Sequence, residues 1–321
     1  MMKRSKFIAA LFAALSLSAA PAMAQDFPAK QPIKIVVAAN AGGGTDVQAR
    51  ITAEFLQRRL GQSVIVENRP GAGASIGVDY VYKSPADGYT LLFIANEFTT
   101  LPAVRNNLPY KFDEFTFLIR GFVTQPVVFA SPKIPVNTLP ELVAYMKANP
   151  GKVRYGSTGV GALVHMANAM FEGAAGVKGV HVPYTGIAPV FTDMLAGNIE
   201  FTQATPPFPE GIKVLGSSGF KRSPGYPNLP TLEEAGIKGA SWELWFGFMA
   251  PPNLPKPIAD RLTNEIAAVL KDPEAIAKYV AATKSPPATE FLTGDAFKRR
   301  AVEENRNWKA VVEREKIVVQ Q

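Results

Sequence analysis

The chain has 321 residues, of which 34 are Lys or Arg and 27 are Asp or Glu, and it contains no cysteine. The missing cysteines exclude disulfides, thiolate nucleophiles and thiolate metal ligands. The formal net charge of +7 falls to +4 without the three cations of the first 24 residues, which is too mild and too evenly scattered to argue for nucleic acid as a partner. The 47% of hydrophobic residues suffice for the cores of two domains.

The first 24 residues have the order of a secretory signal peptide. Three cations precede an apolar run, and Ala22-Met23-Ala24 follows as an A-x-A cleavage site. Ser16, Ser18 and Pro21 interrupt the run, which is shorter than the about 20 residues of a membrane-spanning helix. We therefore expect cleavage after Ala24 and a function outside the cytoplasm.

The first predicted elements are a buried strand and an amphipathic helix. The continuous apolar run from Ile33 to Val37 is typical of a strand that is covered on both faces. Apolar residues at helical spacing follow up to Leu60. Thr45 and Gln48 have the spacing of a capping box, which predicts that this helix begins at Thr45.

Two further strands, at 64–66 and 88–95, enclose a second helix that opens at a glycine-rich turn. Strand, helix, strand, helix, strand predicts two right-handed parallel units, so the first domain is doubly wound. A second series begins with a strand within 126–132 and reaches another at 152–157. A glycine-rich turn and an apolar helix face from Leu163 follow it, which predicts a second α/β lobe.

The C-terminal third returns to the first lobe in this prediction. A hydrophobic run at 240–252 precedes two helical segments, which we expect to pack on the first lobe. We place the two crossings near 123–126 and 242–246. The predicted fold class is α/β, with two lobes that two crossing strands join around a cleft. Its lobes are 25–124 with 246–321, and 125–245.

Two glycine-rich corners are the candidate binding sites. The first N–H groups of a helix have no internal partner and carry the positive end of its dipole, and glycine leaves them accessible. Each corner is therefore either an anion site or a tight turn with an ordinary cap. No Lys follows the glycines, so the corners favour a carboxylate over a phosphate. The corner residues are Ala41, Gly42, Gly43, Gly44, Thr45 and Asp46 in the first, and Gly156, Ser157, Thr158, Gly159 and Gly161 in the second.

Catalytic and metal-binding constellations are missing from the sequence. The two histidines, His165 and His181, have no metal-ligand spacing around them, and there is no G-x-S-x-G nucleophile elbow. The turn Arg69 to Gly73 is interpreted as a buttress of the first corner. The aromatic cluster around Trp242 and Trp245 is interpreted mainly as core. We therefore expect neither an enzyme nor a bound metal or cofactor.

Five motifs occur in the order found in the Bug family, the TctC-like extracytoplasmic receptors of tripartite tricarboxylate transporters. They extend over essentially the whole chain after residue 24 and read NAGGGTDVQAR, VIVENRPGAGASIGVDYVYKSPADGYTLL, YGSTGVGALVHM, HVPYTGIAPVFTDMLAGNIEF and RSPGYPNLPTLEEAGIKG. The resemblance implies a two-lobe periplasmic binding protein of type II-like fold. Its α/β lobes close on a carboxylate, which backbone amides and bridging waters hold at the two corners. The segment after NIEF is shorter than is usual in the family and is rich in proline.

The resemblance completes the predicted site and function. Ligand-binding candidates beyond the corners are Phe98, His165, Tyr184 and Gln203. We predict a monomeric periplasmic receptor that captures a dicarboxylate by lobe closure and delivers it to the membrane subunits of a transporter. Stacking by Phe98 or Trp245 would favour an aromatic diacid. Two alternatives stay open: an exported α/β enzyme with a nucleotide on its glycine loop, and a receptor that signals to a sensor kinase.

Overall fold

A computed structural model describes residues 27–283 and 286–317. The predicted signal peptide lies outside the described residues. One six-stranded sheet consists of β1 (Ile33–Val37), β2 (Val64–Asn68), β3 (Thr90–Ala95), β4 (Thr116–Thr124), β10 (Leu244–Ala250) and β11 (Leu292–Thr293), in the order β11-β4-β10-β3-β1-β2. A five-stranded sheet consists of β5 (Val127–Ala130), β6 (Arg154–Ser157), β7 (Val180–Pro183), β8 (Phe201–Ala204) and β9 (Lys213–Ser217), in the order β7-β6-β8-β5-β9.

Helices cover these sheets and connect their parallel strands. Their bounds are α1 (Gly44–Leu60), α2 (Ser75–Tyr82), α3 (Glu97–Val104), α4 (Leu139–Ala148), α5 (Leu163–Ala175), α6 (Ile187–Ala196), α7 (Lys256–Lys271), α8 (Pro273–Thr283) and α9 (Gly294–Glu315). Within the described ranges, none of them combines the length and the apolar character needed to cross a membrane.

The two lobes repeat one topology around a central strand. In the first lobe, β1 pairs in parallel with β2 on one side and β3 on the other. In the second lobe, β6 pairs in parallel with β7 and β8 in the same way. The strand order therefore reverses beside β1 and beside β6, and ligands of open α/β sheets bind at such switch points, beyond the carboxyl ends of the strands. Both glycine-rich corners follow these two central strands.

The first strand is buried on both faces, as its apolar run predicts. Ile33, Ile35, Val36 and Val37 are all fully inaccessible to solvent. Successive strand residues point to opposite faces, so α1 with α7 covers one face while α2 covers the other. Helices on both faces of the sheet thus hold β1 in place, and the first corner follows directly after this strand.

The chain changes sheets at two places. β4 ends at Thr124 in the first sheet, and β5 begins at Val127 in the second. On the return path, the N–H of Trp242 donates to the carbonyl of Ser218 in the second lobe, and β10 then enters the first sheet between β3 and β4. We call residues 239–245 the return segment.

The C-terminal helices pack on the first lobe as predicted, but α9 also packs on the second lobe, which the prediction did not include. Phe297 and Ala301 pack into the first lobe, whereas Trp308 and Val311 pack into the core of the second. A helix of 22 residues is about 33 Å long, which is enough to reach both cores. The helix α9 is therefore a third link between the lobes.

Candidate functional site

The first corner differs in its cap from the prediction. The helix α1 begins at Gly44, and its N-cap is Gly43, which is extended and makes no side-chain cap hydrogen bond. The carbonyl of Gly43 accepts the first helical N–H, from Val47, at 3.0 Å. The capping box of Thr45 and Gln48 is therefore wrong: Thr45 already lies inside the helix, where its side chain cannot cap the first turn.

The carboxylate of Asp46 holds the loop of the first corner in place through hydrogen bonds. Its side chain is buried, and its Oδ2 accepts from the Gly42 N–H at 2.8 Å and the Arg50 Nε at 3.0 Å. Its Oδ1 accepts from the Asn68 Nδ2 at 2.9 Å. Burial alone would raise the pKa of Asp46, but the hydrogen bonds from Arg50, Gly42 and Asn68 together lower it. Both carboxylate oxygens already accept hydrogen bonds from the protein. The prediction that Asp46 binds the ligand is therefore corrected: its role is to hold the loop of the corner in place.

The backbone above Asp46 is open. Gly43 and Gly44 are exposed, and a Cβ added at Gly44 would meet no atom within 4 Å. In the described part of the chain, no protein group accepts the N–H of Gly44 or Thr45. These free donors lie at the positive end of the helix dipole, and such an arrangement can bind an anion.

The turn after β2 supports the first corner from the side. The Asn68 Nδ2 also donates to the carbonyl of Ala39, and the Arg69 N–H donates to the carbonyl of Val37. A Cβ at Gly77 would lie 2.8 Å from both the Cβ of Ala38 and the carbonyl oxygen of Arg69. The turn therefore acts as the predicted buttress, through close backbone packing.

Neutral groups organise the second corner, between β6 and α5. Ser157 is fully buried, and its Oγ lies 2.6 Å from the His181 Nε2 and accepts the Gly159 N–H at 3.1 Å. The His165 Nδ1 accepts the Gly161 N–H at 3.0 Å. Ser157 and His165 thus shape the loop, which leaves the Thr158–Val160 stretch as its accessible part.

A stack of rings lies beneath this second corner. The imidazoles of His165 and His181 are stacked, with their centroids 3.8 Å apart and an angle of 5° between their planes, and the Tyr155 ring centroid lies 5.2 Å from that of His181. Burial lowers the pKa of His165, and burial with the neighbouring His165 lowers the pKa of His181 to about 4. Both rings are therefore neutral at neutral pH. His181 was not a predicted site residue, because only the pairing of β7 with β6 brings it to the corner.

Several predicted ligand contacts lie elsewhere. Phe98 is fully buried and packs edge to face with Phe112, Phe115 and Phe117. Trp245 is also buried, in agreement with a core role and against stacking on a ligand. These two aromatic side chains are therefore unable to contact a solute in the cleft, because the first-lobe core encloses them.

Three further residues predicted to contact the ligand lie in the second lobe. The amide of Gln203 is fully buried between the carbonyl of Ala167 and the indole of Trp242. The Tyr184 hydroxyl donates to Asp193 at 2.5 Å. Gly156 is a packing glycine, since a Cβ there would lie 2.3 Å from the Val190 side chain. Gln203 and Gly156 are therefore corrected to structural residues, and Tyr184 lies partly exposed beside the corner.

The groups at the corners offer hydrogen-bond donors without acid–base or metal chemistry. Among the described residues there is no cluster of His, Asp and Glu that could hold a metal ion. The charged side chain at the first corner is neutralised by Arg50, and the second corner is uncharged. The arrangement can hold an anion by backbone donors without transforming it.

Comparisons with known proteins agree with this geometry. The family model TctC, described as tripartite tricarboxylate transporter family receptor, matches residues 48–316. Protein BugT of Bordetella pertussis is 32% identical over 324 residues, which cover 97% of this chain and 97% of BugT. The periplasmic binding protein BugD is 29% identical, with a TM-score of 0.71, over 91% of this chain and 99% of BugD.

A solved structure with a ligand belongs to the same set. The R. palustris protein Rpa4515 with adipate is 28% identical, with a TM-score of 0.74, over 91% of this chain and 99% of Rpa4515. Together these similarities confirm the two-lobe periplasmic-binding-protein fold and the predicted resemblance to Bug and TctC-like receptors.

Proposed function

The chain belongs to the family of tripartite tricarboxylate transporter receptors, periplasmic solute-binding proteins and not enzymes, and we propose that it captures a small dicarboxylate between its lobes. The observation that carries the proposal is the pair of open backbone corners at the two switch points. Family membership removes the alternative of an exported nucleotide-dependent enzyme.

One carboxylate of the ligand binds the first corner in this proposal. The unpartnered N–H groups of Gly44 and Thr45 donate to it, and the Thr45 hydroxyl is the adjacent side-chain donor. Asp46 holds the loop open by tying Gly42 back, while Arg50 offsets its negative charge. A carboxylate suits this site better than a phosphate, because Arg50, the cation beside the corner, is already paired with Asp46 and does not balance a double charge.

The other end of the ligand binds the second corner after closure. Among the described residues, no group accepts the N–H of Thr158 or Val160, and both residues are accessible. Only the closed arrangement satisfies both corners, so the ligand selects it. Each hydrogen bond to a charged group contributes roughly 1.5–3 kcal/mol, so a few of them support micromolar binding.

An aliphatic dicarboxylate is the favoured ligand class. The predicted aromatic diacid depended on Phe98 or Trp245, and both are buried in the first-lobe core. Adipate, the compound in the Rpa4515 structure, is an aliphatic diacid whose two carboxylates could each meet one corner. We therefore propose a short aliphatic diacid of this kind.

Delivery of the ligand to transporter subunits in the membrane, from a monomeric receptor in the periplasm, completes the proposal. The support is the family description and the export signal predicted from the sequence. Signalling to a sensor kinase is the alternative. A pull-down from membranes with and without adipate distinguishes them: transporter subunits as the captured partner support delivery, and a kinase alone contradicts it.

The binding site is tested with Gly44→Leu. The added side chain has room in the fold but covers the open N–H groups, so we expect an unchanged melting temperature without ligand. Adipate should raise the melting temperature of the wild type, and binding should weaken by about 100-fold in the variant, since charge-assisted hydrogen bonds are lost. Gly225→Leu, at an exposed glycine with equal room outside both corners, is the matched control. An adipate shift that Gly44→Leu retains in full contradicts the proposed site.

A further inference from the structure

A cavity of ≈ 330 Å³ lies beside the hinge and includes none of the corner residues. One face of α9 forms one wall of it, and the return segment forms another. Arg120 of β4 comes from the first lobe, and Met170 of α5 comes from the second, so both lobes contribute to it. We call it the hinge cavity. Its volume is in the range of sites for small molecules.

All three tryptophans of the chain line the hinge cavity: Trp242, Trp245 and Trp308. Their indole N–H groups are already used, since Trp245 and Trp308 donate to Glu304 at 2.7 and 3.3 Å, and Trp242 donates to Gln203 at 2.9 Å. What the rings still offer to the cavity is a narrow strip of apolar surface, since Trp242, Trp245 and Trp308 are 4%, 1% and 2% exposed. Such walls favour a ligand with a flat, apolar ring.

The polar groups with free capacity in this wall are mostly donors. The Arg300 guanidinium stacks 4.6 Å from the Phe220 ring, and its closest carboxylate, Glu303, is 3.6 Å away, beyond a normal hydrogen bond. In the described part of the chain, the buried Arg120 Nε and Ser241 Oγ have no hydrogen-bond partner. A wall with unused donors is completed by an acceptor.

Three of the four acidic residues that line the cavity are already engaged, and the fourth, Glu303, lies 3.6 Å from Arg300 with its side chain 60% exposed. Glu243 accepts from Arg120 at 3.1 Å and from Gln125 at 3.0 Å. Glu304 accepts from Asn96 at 2.6 Å in addition to its two indole donors. Glu233, at the rim, accepts the Gly239 N–H at 3.0 Å. The unsatisfied capacity of the hinge cavity is therefore that of a donor set, in spite of its acidic residues.

We infer that the hinge cavity is a second ligand site, which takes a small aromatic carboxylate. The ring of the ligand lies against the indoles of Trp242 and Trp308, and its carboxylate accepts from Arg300. This inference goes beyond the proposed dicarboxylate site in the cleft and does not depend on it, because the two sites share no residue.

The experiment uses benzoate as the probe and the intrinsic tryptophan emission as the readout. Because all three indoles line the cavity, we expect benzoate to change the emission of the wild type, with adipate as the comparison ligand. Gly44→Leu, which closes the first corner, should respond to benzoate as the wild type does. Arg300→Gln should weaken benzoate binding by about tenfold, because it removes the charge-assisted contact.

Two further variants control this result. Lys298→Gln removes a cation from the same helix outside the hinge cavity and should leave benzoate binding unchanged. Trp308→Phe should weaken benzoate binding, and its melting temperature reports whether it is folded. The inference is overturned by an unresponsive wild type, which indicates a cavity filled by water only. It is also overturned by loss of the response in Gly44→Leu, by an unchanged affinity in Arg300→Gln, or by equal weakening in Lys298→Gln.

Discussion

At the first corner a buried carboxylate ties the loop to the neighbouring strand, whereas at the second corner a hydroxyl and two stacked imidazoles do so. The topology around the two corners is the same, since each follows the central strand of a parallel trio. The glycine-rich backbone is thus the shared part, and the side chains that hold it in place differ between the lobes.

Because their side chains titrate differently, the two corners should lose stability at different pH values. The lowered pKa of Asp46 means that its contribution to stability is full above about its unfolded value of 3.8 and is lost below it. The lowered pKa values of the histidines mean that their contribution is full above 6.5 and is lost as the pH falls toward 4. Mild acid therefore weakens the second corner before the first.

Removing the carboxylate of the first corner should have the largest effect on stability. Asp46→Ala leaves the Gly42 N–H and the Asn68 amide without their acceptor, so we expect a loss of about 2–4 kcal/mol in the free energy of unfolding. Urea unfolding at pH 7 measures it. Asp46→Asn, which keeps the shape and one acceptor, should lose less. Equal, small losses in both variants would show that the network does not hold this corner.

Acidification tests the second corner. Between pH 6.5 and about 4, the unfolded chain binds protons that the folded histidines do not, so the free energy of unfolding falls as the pH falls. We expect a decrease on the order of 2 kcal/mol, after allowance for screening at the partly exposed His181 ring. The double variant His165→Gln with His181→Gln removes both histidines of the chain. In this variant the urea concentration at the unfolding midpoint should change less with pH over this range. An unchanged pH slope in the double variant contradicts this assignment.

Ser157→Ala should have a moderate effect. It removes the hydroxyl between His181 and the Gly159 N–H, and the expected loss is about 1–2 kcal/mol, because both of these part-buried groups lose their partner. Adipate binding should weaken as well, since the Thr158–Val160 stretch loses its support. Thr202→Ala removes another buried hydroxyl of the second lobe, which donates to the Gly156 carbonyl, and serves as the control. If both variants bind adipate equally well, the hydroxyl of Ser157 does not position the corner.

Thr45→Val should have the smallest effect on stability. Because Gly43 and not Thr45 is the N-cap of α1, we expect a change below about 0.5 kcal/mol. Thr138→Val is the matched comparison, since the Thr138 side chain caps α4 by accepting the Glu141 N–H, and its loss should cost about 1 kcal/mol. Thermal unfolding of both variants measures the difference. A loss at Thr45 as large as at Thr138 would restore the capping box.

Much of the fold could be predicted from the sequence because its signals are local. The apolar run from Ile33 to Val37, the helical spacing up to Leu60 and the glycines between them depend on residues within a few positions of each other. The capping box failed because Thr45 and Gln48 have the spacing of a cap, yet the N-cap is Gly43, two residues before Thr45. Helix ends are decided by which backbone carbonyl accepts first, and the sequence pattern does not determine this.

The sequence by itself therefore determined β1, β2, β3, β5 and β6, most helices and the position of both glycine-rich corners. Only the tertiary structure decided what surrounds the corners, because those contacts join residues that are distant along the chain. Asn68 reaches Asp46 across 22 positions, and His181 reaches Ser157 across 24. The tertiary structure also decided that Phe98 is buried in the core of the first lobe and that α9 packs on both lobes. Burial depends on which surfaces meet and not on the residue type alone.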